Sequence, residues 1–181
     1  MEILVFCLLS LPLAALSWRS LFSLKHHGFY RWVVWECVLW LAIRNHRHLV
    51  VERFDLQQLI SSALMTASLA FVLAAVWMMR KMGNVNRRRR DPALFGFERT
   101  TTLVESGIFG YVRHPMYSSL MFLAWGVCLR RVEAELLAVA VAATTACILA
   151  AWVEEGENTA YFGEAYRRYM RRTKRFNPFV V

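Results

Sequence analysis

Residues 59–79 read LISSALMTASLAFVLAAVWMM, a run with no charged side chain in it. A helix needs roughly 20 mostly apolar residues to cross the hydrocarbon core of a bilayer. This stretch therefore predicts a membrane span, and lipid becomes the solvent in which the fold is read. The composition of all 181 residues agrees: 57% are hydrophobic and only 19% charged, too apolar for an ordinary soluble domain of this size.

Four more apolar stretches surround that span: Ile3–Trp18, Phe29–Ile43, Pro115–Leu129 and Val132–Val153. Arg31 and Glu36 interrupt the second, which predicts a tilted or re-entrant segment. The N-terminal stretch has Glu2 and no early Lys or Arg, so the positive n-region of a secretory signal is missing and a retained helix is expected. Cys7, Cys37, Cys128 and Cys147 all fall within apolar segments without metal-ligand spacing, as small core or lipid-facing residues do. No metal site is expected.

The expected fold is all-α: an integral membrane helical bundle of about five transmembrane helices, followed by a C-terminal amphipathic cytoplasmic helix. Without an internal repeat or low-complexity linker, residues 1–181 read as a single membrane domain. It divides into N-terminal spans (1–79), a basic cytoplasmic connector (80–114), a helical hairpin (115–153) and a C-terminal segment (154–181).

The formal charge of +9 is concentrated in that connector, at Arg80, Lys81, Arg87–Arg90, Arg99 and Arg113, and in six Lys/Arg between Arg167 and Arg175. The positive-inside bias puts both stretches in the cytoplasm. The hairpin then goes out and returns, turning at Arg130-Arg131, and five crossings leave the N-terminus outside. The Arg87–Arg90 run adjoins a span and has no nucleic-acid-binding module around it, so anionic lipid headgroups are its expected partners and nucleic acid is not.

The chemistry is concentrated in residues 102–117, TLVESGIFGYVRHPMY. Glycines at 107 and 110 predict a turning loop that feeds a membrane helix starting at Pro115, where a missing N–H costs nothing. His114 becomes the cap and Arg113 precedes it, at a helix N-terminus suited to an anion. Glu154-Glu155 falls where the last span leaves the membrane on the same side, so the hairpin brings two carboxylates to the Arg-His-Pro entrance. Ionisable groups at such depth are expensive and mark function. Beyond Val153 a helical wheel puts Glu155, Phe162, Tyr166 and Tyr169 in one sector and Arg168, Arg171, Arg172 and Arg175 in another, an amphipathic helix at the membrane surface. Gly156 and Gly163 are candidate interruptions, and a bend at Gly163 would fold the aromatic stripe over the site.

The ordered set LVxxG (103–107), YVRHPMY (111–117), Glu154-Glu155, Phe162-Gly163, Tyr166-x-x-Tyr169 and Arg175-Phe-x-Pro178 resembles the isoprenylcysteine carboxyl methyltransferase and phospholipid methyltransferase superfamily of integral membrane enzymes. The resemblance spans residues 100–178. It departs from the usual pattern at Ile108-Phe109, Ser119, Asn158 and Asn177.

This resemblance implies an S-adenosylmethionine-dependent methyltransferase acting on a lipidic or amphipathic acceptor: a prenylcysteine carboxylate, a phospholipid amine or a small thiol. It also implies a cofactor pocket made by Arg113, His114, Tyr117, Glu154 and Glu155, with Gly107 and Tyr111 in the preceding loop and Tyr166 in the covering helix.

Within that pocket, Arg113 and His114 are expected to receive the cofactor carboxylate. Glu154 or Glu155 would engage its ammonium or a ribose hydroxyl, and tyrosines would face the sulfonium. His114, Arg113 and Glu155 are the catalytic candidates, and Arg99 or Arg168 would hold an acidic group on the acceptor. Methyl transfer is an in-line displacement that depends chiefly on alignment and exclusion of water. A membrane reductase with a nicotinamide cofactor and a non-enzymatic scaffold are the alternatives.

Overall fold

The computed structural model describes residues 1–49, 55–84, 94 and 98–176. Six α-helices follow one another among these residues: α1 (Glu2–Leu21), α2 (His27–Asn45), α3 (Leu56–Met82), α4 (Pro115–Cys128), α5 (Ala134–Phe162) and α6 (Glu164–Arg172). A 3₁₀ turn at Gly107–Gly110 leads into α4. A strand-like bridge joins Val112 and Lys174. The fold is an all-helical membrane bundle, as expected.

The first five helices run alternately between two ends of the bundle. At one end Arg44, closing α2, pairs with Glu2 at 2.6 Å and with Glu135 at 3.5 Å, so the starts of α1 and α5 lie together there. The start of α3 joins them: Gln58 accepts from the Arg130 guanidinium at 2.8 Å and donates to the Arg130 carbonyl at 3.1 Å. The expected turn at Arg130-Arg131 is therefore tied to a third helix. The opposite end holds the start of α2, the end of α3, the start of α4 and the long end of α5.

Side-chain size explains the contacts. On α5, Ala140, Ala143, Cys147 and Ala150 recur at helical spacing and are wholly buried, a stripe of small residues that lets α2 approach with Val34 and Leu41. Between α3 and α4 the close point is Gly126, whose carbonyl accepts from Ser61 Oγ at 2.6 Å. Large apolar side chains on the outside, among them Leu4, Leu8, Leu11, Leu69, Leu73, Trp77 and Trp152, fit a surface that faces lipid.

Three helices, α1, α3 and α5, are long and apolar enough to cross a membrane by themselves. The second predicted segment forms one uninterrupted helix of 19 residues, because Arg31 finds a buried partner instead of breaking it. At 14 residues, α4 is about 21 Å long, short of a full crossing. The fifth apolar stretch closes at Val153, and α5 continues beyond it to Phe162. Gly156 does not interrupt it; Gly163, at φ +62°, ends it. The cysteines are all free, with Cys128 and Cys147 buried. The Arg87–Arg90 run and Asn177-Pro178 lie outside the described residues.

A Cβ at Gly126 would stand 2.7 Å from Met65 Cγ and 3.2 Å from the Met65 backbone nitrogen. Gly126→Val should therefore cost about 1–3 kcal/mol through forced separation of α3 and α4. The measurement is the thermal midpoint of detergent-solubilised protein, and a midpoint equal to wild type would refute the close crossing.

Candidate active site

The loop before α4 is fastened to α3 before it reaches the site. Val104 and Phe109 pack on Ala75 and Met78, and Gly107 turns at φ +60° with its Cα side against the end of the Met78 side chain. After the turn, the backbone of residues 111–114 pairs with the chain that leaves α6. Tyr111 O accepts from Lys174 N at 3.0 Å, Arg113 N donates to Lys174 O at 2.8 Å, and His114 N donates to Arg175 O at 3.1 Å. His114 then caps α4 and Pro115 opens it, as the sequence predicts.

Glu155 joins three positive or protonatable groups. Its Oε1 accepts from Arg113 Nε at 2.9 Å and from Arg175 Nε at 3.1 Å, its Oε2 accepts from Arg175 Nη2 at 2.7 Å, and His114 Nε2 stands 3.4 Å from Oε1. Arg113 also reaches α6, where its Nη1 donates to the carbonyls of Met170, at 3.1 Å, and Thr173. These belong to the end of α6, where carbonyls have no helical partner and a cation is favourable. Arg113 therefore fixes the end of α6 to α5.

Glu154 points elsewhere. It lines two adjoining chambers and comes no closer to His114 than 3.8 Å, at Nδ1. The first chamber, of ≈ 150 Å³, lies between α2, α3 and α4 and is walled by Trp35, Val72, Met116 and Leu120, with Arg31, Glu98, His114 and Tyr117 at its polar end. The second, of ≈ 50 Å³, lies beneath α6 and is walled by Leu103, Val104, Asn158, Phe162, Tyr166 and Tyr169. Met79, Glu98, Phe109, Arg113 and Glu154 belong to both walls.

The cover over the second chamber is aromatic. Phe162 stacks on Tyr166 with centroids 6.5 Å apart, Tyr166 meets Tyr169 edge-on at 5.7 Å, and Tyr169 Oη donates to Phe109 O at 2.7 Å. Burial pushes both phenols well above their ordinary range. They stay neutral at physiological pH and offer ring faces without adding charge.

The structure brings Arg113, His114, Tyr117, Glu154, Glu155 and Tyr166 to one end of the bundle. His114 and Tyr117 stack at 5.5 Å on the first chamber. Gly107 and Tyr111 line neither chamber: Gly107 packs on Met78, and the Tyr111 side chain is 69% exposed, its carbonyl doing the pairing. Arg113 bonds Glu155 and the end of α6, and Glu155 bonds Arg113 and Arg175.

Sequence reading missed Arg31 and Glu98, a buried pair at 2.9 Å that closes the polar end of the first chamber. The signal was a charge inside an apolar stretch at Arg31, read as an interruption instead of as a site. The departures at Phe109, Ser119 and Asn158 all lie on chamber walls.

The family model described as phospholipid methyltransferase matches residues 56–165, more than half of the chain. No curated protein and no solved structure matches it significantly.

Removing the Glu155 charge leaves Arg113 and Arg175 without their common partner, and breaking a buried ion pair from one side costs about 3–5 kcal/mol. In Glu155→Gln, amide hydrogen exchange in α6 and residues 173–176 should quicken roughly a hundredfold or more, with α3 amides little changed. Undiminished protection of α6 would show that the clamp does not hold it.

Proposed function

The chain belongs to the phospholipid methyltransferase family of membrane methyltransferases, and from that membership we propose an S-adenosylmethionine-dependent enzyme that methylates a lipidic or amphipathic acceptor. The observation that carries the reading is Glu154, a carboxylate on the wall shared by an apolar chamber among the spanning helices and an aromatic chamber beneath α6.

The residues present fit the cofactor. The second chamber offers the ring faces of Phe109, Phe162, Tyr166 and Tyr169 for a flat base and a sulfonium, and the Glu154 carboxylate for an ammonium or hydroxyl. When bound, the cofactor supplies an electrophilic methyl group carried on sulfur. The chain's own residues align the partners and keep water out. Glu154, more than Glu155, is the cofactor-binding carboxylate in this proposal, since Glu155 is held by Arg113 and Arg175.

The acceptor enters from lipid between α2, α3 and α4, with its apolar portion against Trp35, Val72 and Leu120. Arg31 and Glu98 meet its polar end, a role that sequence reading offered to Arg99 or Arg168. A chamber of ≈ 50 Å³ beneath α6 is well below the roughly 300–1,000 Å³ of small-molecule sites. Cofactor entry therefore requires α6 to swing outward about Gly163. Arg80, Lys81 and the arginines of α6 lie at this end of the bundle, which supports a site facing the cytoplasm.

Calorimetric titration of detergent-purified protein should show adenosylmethionine binding. Glu154→Gln should weaken it roughly tenfold to a hundredfold, the loss of one charge-assisted hydrogen bond. Binding of a reduced nicotinamide cofactor with none of adenosylmethionine would establish the reductase alternative instead, and binding of neither would leave a scaffold.

A further inference from the structure

The end of α6 and the chain that leaves it form a third cavity, a groove of ≈ 400 Å³ lined by residues 170–175 and Arg113. It shares only Arg113 with the walls of the two chambers. Of its seven lining residues five are cationic, at Arg113, Arg171, Arg172, Lys174 and Arg175, and none is a carboxylate. Glu155 is absent from the wall, so the groove meets the clamp from its cationic side.

The neighbouring carboxylates neutralise these cations only in part. Glu155 serves Arg113 and Arg175 together, Glu105 contacts Arg172, and Glu164 comes no closer to Arg171 than 3.9 Å. Lys174 pairs through its backbone, and its exposed side chain makes no ion pair among the described residues. A concave surface with surplus positive charge concentrates anions. The clamp also leaves guanidinium donors over: its bonds use Nε and Nη1 of Arg113 and Nε and Nη2 of Arg175. Arg113 Nη2 and Arg175 Nη1 take no part in them, and planar N–H donors of this kind match phosphate oxygens.

The groove is also tied to the lipid surface. Arg175 Cζ lies 5.8 Å from the ring centroid of Trp152, and Trp152 is 58% exposed among the apolar residues on the outside of the bundle. Tryptophan on such a surface belongs at the level of the lipid headgroups. An anion that carries acyl chains can therefore lie along Trp152 and reach Arg175 without leaving its leaflet.

We propose that the groove at the end of α6 binds the phosphate of an anionic phospholipid from the surrounding leaflet. A zwitterionic lipid brings its own cation to the same place and gains less. Because the phosphate uses donors that the clamp leaves over, it fastens the end of α6 from outside while Glu155 fastens it from inside. Anionic lipid thus holds the cover closed. This surface goes beyond the methyltransferase reading and needs no bound cofactor.

The first measurement is native mass spectrometry of detergent-purified protein titrated with phosphatidylglycerol and with phosphatidylcholine. Phosphatidylglycerol should be the better retained. Lys174→Gln should weaken its binding about fivefold, and Arg171→Gln with Lys174→Gln roughly 25-fold, with phosphatidylcholine little affected in either. Both side chains are exposed, so the fold is spared. Arg168, an exposed cation of α6 outside the groove, is the matched control. Arg168→Gln should change little; a loss equal to that of Lys174→Gln would overturn the groove in favour of general surface attraction.

The second measurement is amide hydrogen exchange in lipid nanodiscs. Replacing part of the phosphatidylcholine by phosphatidylglycerol should slow exchange in α6 and residues 173–176, and the double variant should lose that difference. Equal slowing in every helix would overturn the proposal. So would inorganic phosphate, added to phosphatidylcholine nanodiscs, that slows α6 as much as the anionic lipid does, since a soluble anion would then be the occupant.

Discussion

The buried carboxylate of Glu155 and the two guanidiniums around it determine how the site end of the bundle closes. A charge with a side chain only 10% exposed is tolerable only when compensated, and Glu155 has Arg113 from the α4 entrance and Arg175 from beyond α6 within hydrogen-bonding distance. The clamp joins three segments far apart in sequence. Arg113 extends it by bonding the terminal carbonyls of α6, so one guanidinium serves a buried acid and a helix end together. The backbone pairing of residues 111–114 with 174–175 is part of the same closure.

Neighbouring residues on a helix point about 100° apart. When a polar pair such as Glu154 and Glu155 ends a membrane span, its two side chains therefore enter different surroundings. One turns into the helix junction and is consumed by arginines; the other turns into the space those arginines hold open. The two glutamates are chemically alike but differently surrounded. A single carboxylate could not both anchor α6 through Arg113 and Arg175 and meet Tyr117 and His114 at the chamber wall.

Much of this was legible in the sequence where the signal was local. The α3 span, the Pro115 start with its His114 cap, the break at Gly163 and the aromatic face of α6 all depend on residues within a turn or two of one another. The illegible part depends on helices meeting. Arg31 looked like an interruption because its partner, Glu98, lies 67 positions away and across the bundle. The apolar stretch and its helix end at different places for another reason: the hydropathy of the sequence drops at Glu154, and a drop in hydropathy marks the edge of lipid but not the end of a helix. Glu154, Glu155, Glu157 and Ala160 are good helix formers and Phe162 stacks on Tyr166 of α6, so the hydrogen-bond ladder runs on past Gly156.

That overrun is what makes room for a site. The α4 helix is short and begins beside Glu154 and Glu155, whereas α5 continues to Phe162 and so stands beyond the start of α4. The offset leaves a step at the bundle end, floored by His114 and Tyr117 and walled by Glu154 and Asn158. A straight continuation of α5 would have left that step open to water. Gly163 reverses the chain in a backbone region that other residues seldom enter, and its immediate surroundings offer no steric reason for a glycine. The backbone angle is therefore the reason it is there: with φ at +62°, α6 folds back and brings Tyr166 and Tyr169 over the step. The clamp at Glu155 then holds the far end of α6 down, so the cover is hinged at one end by a glycine and latched at the other by an ion pair.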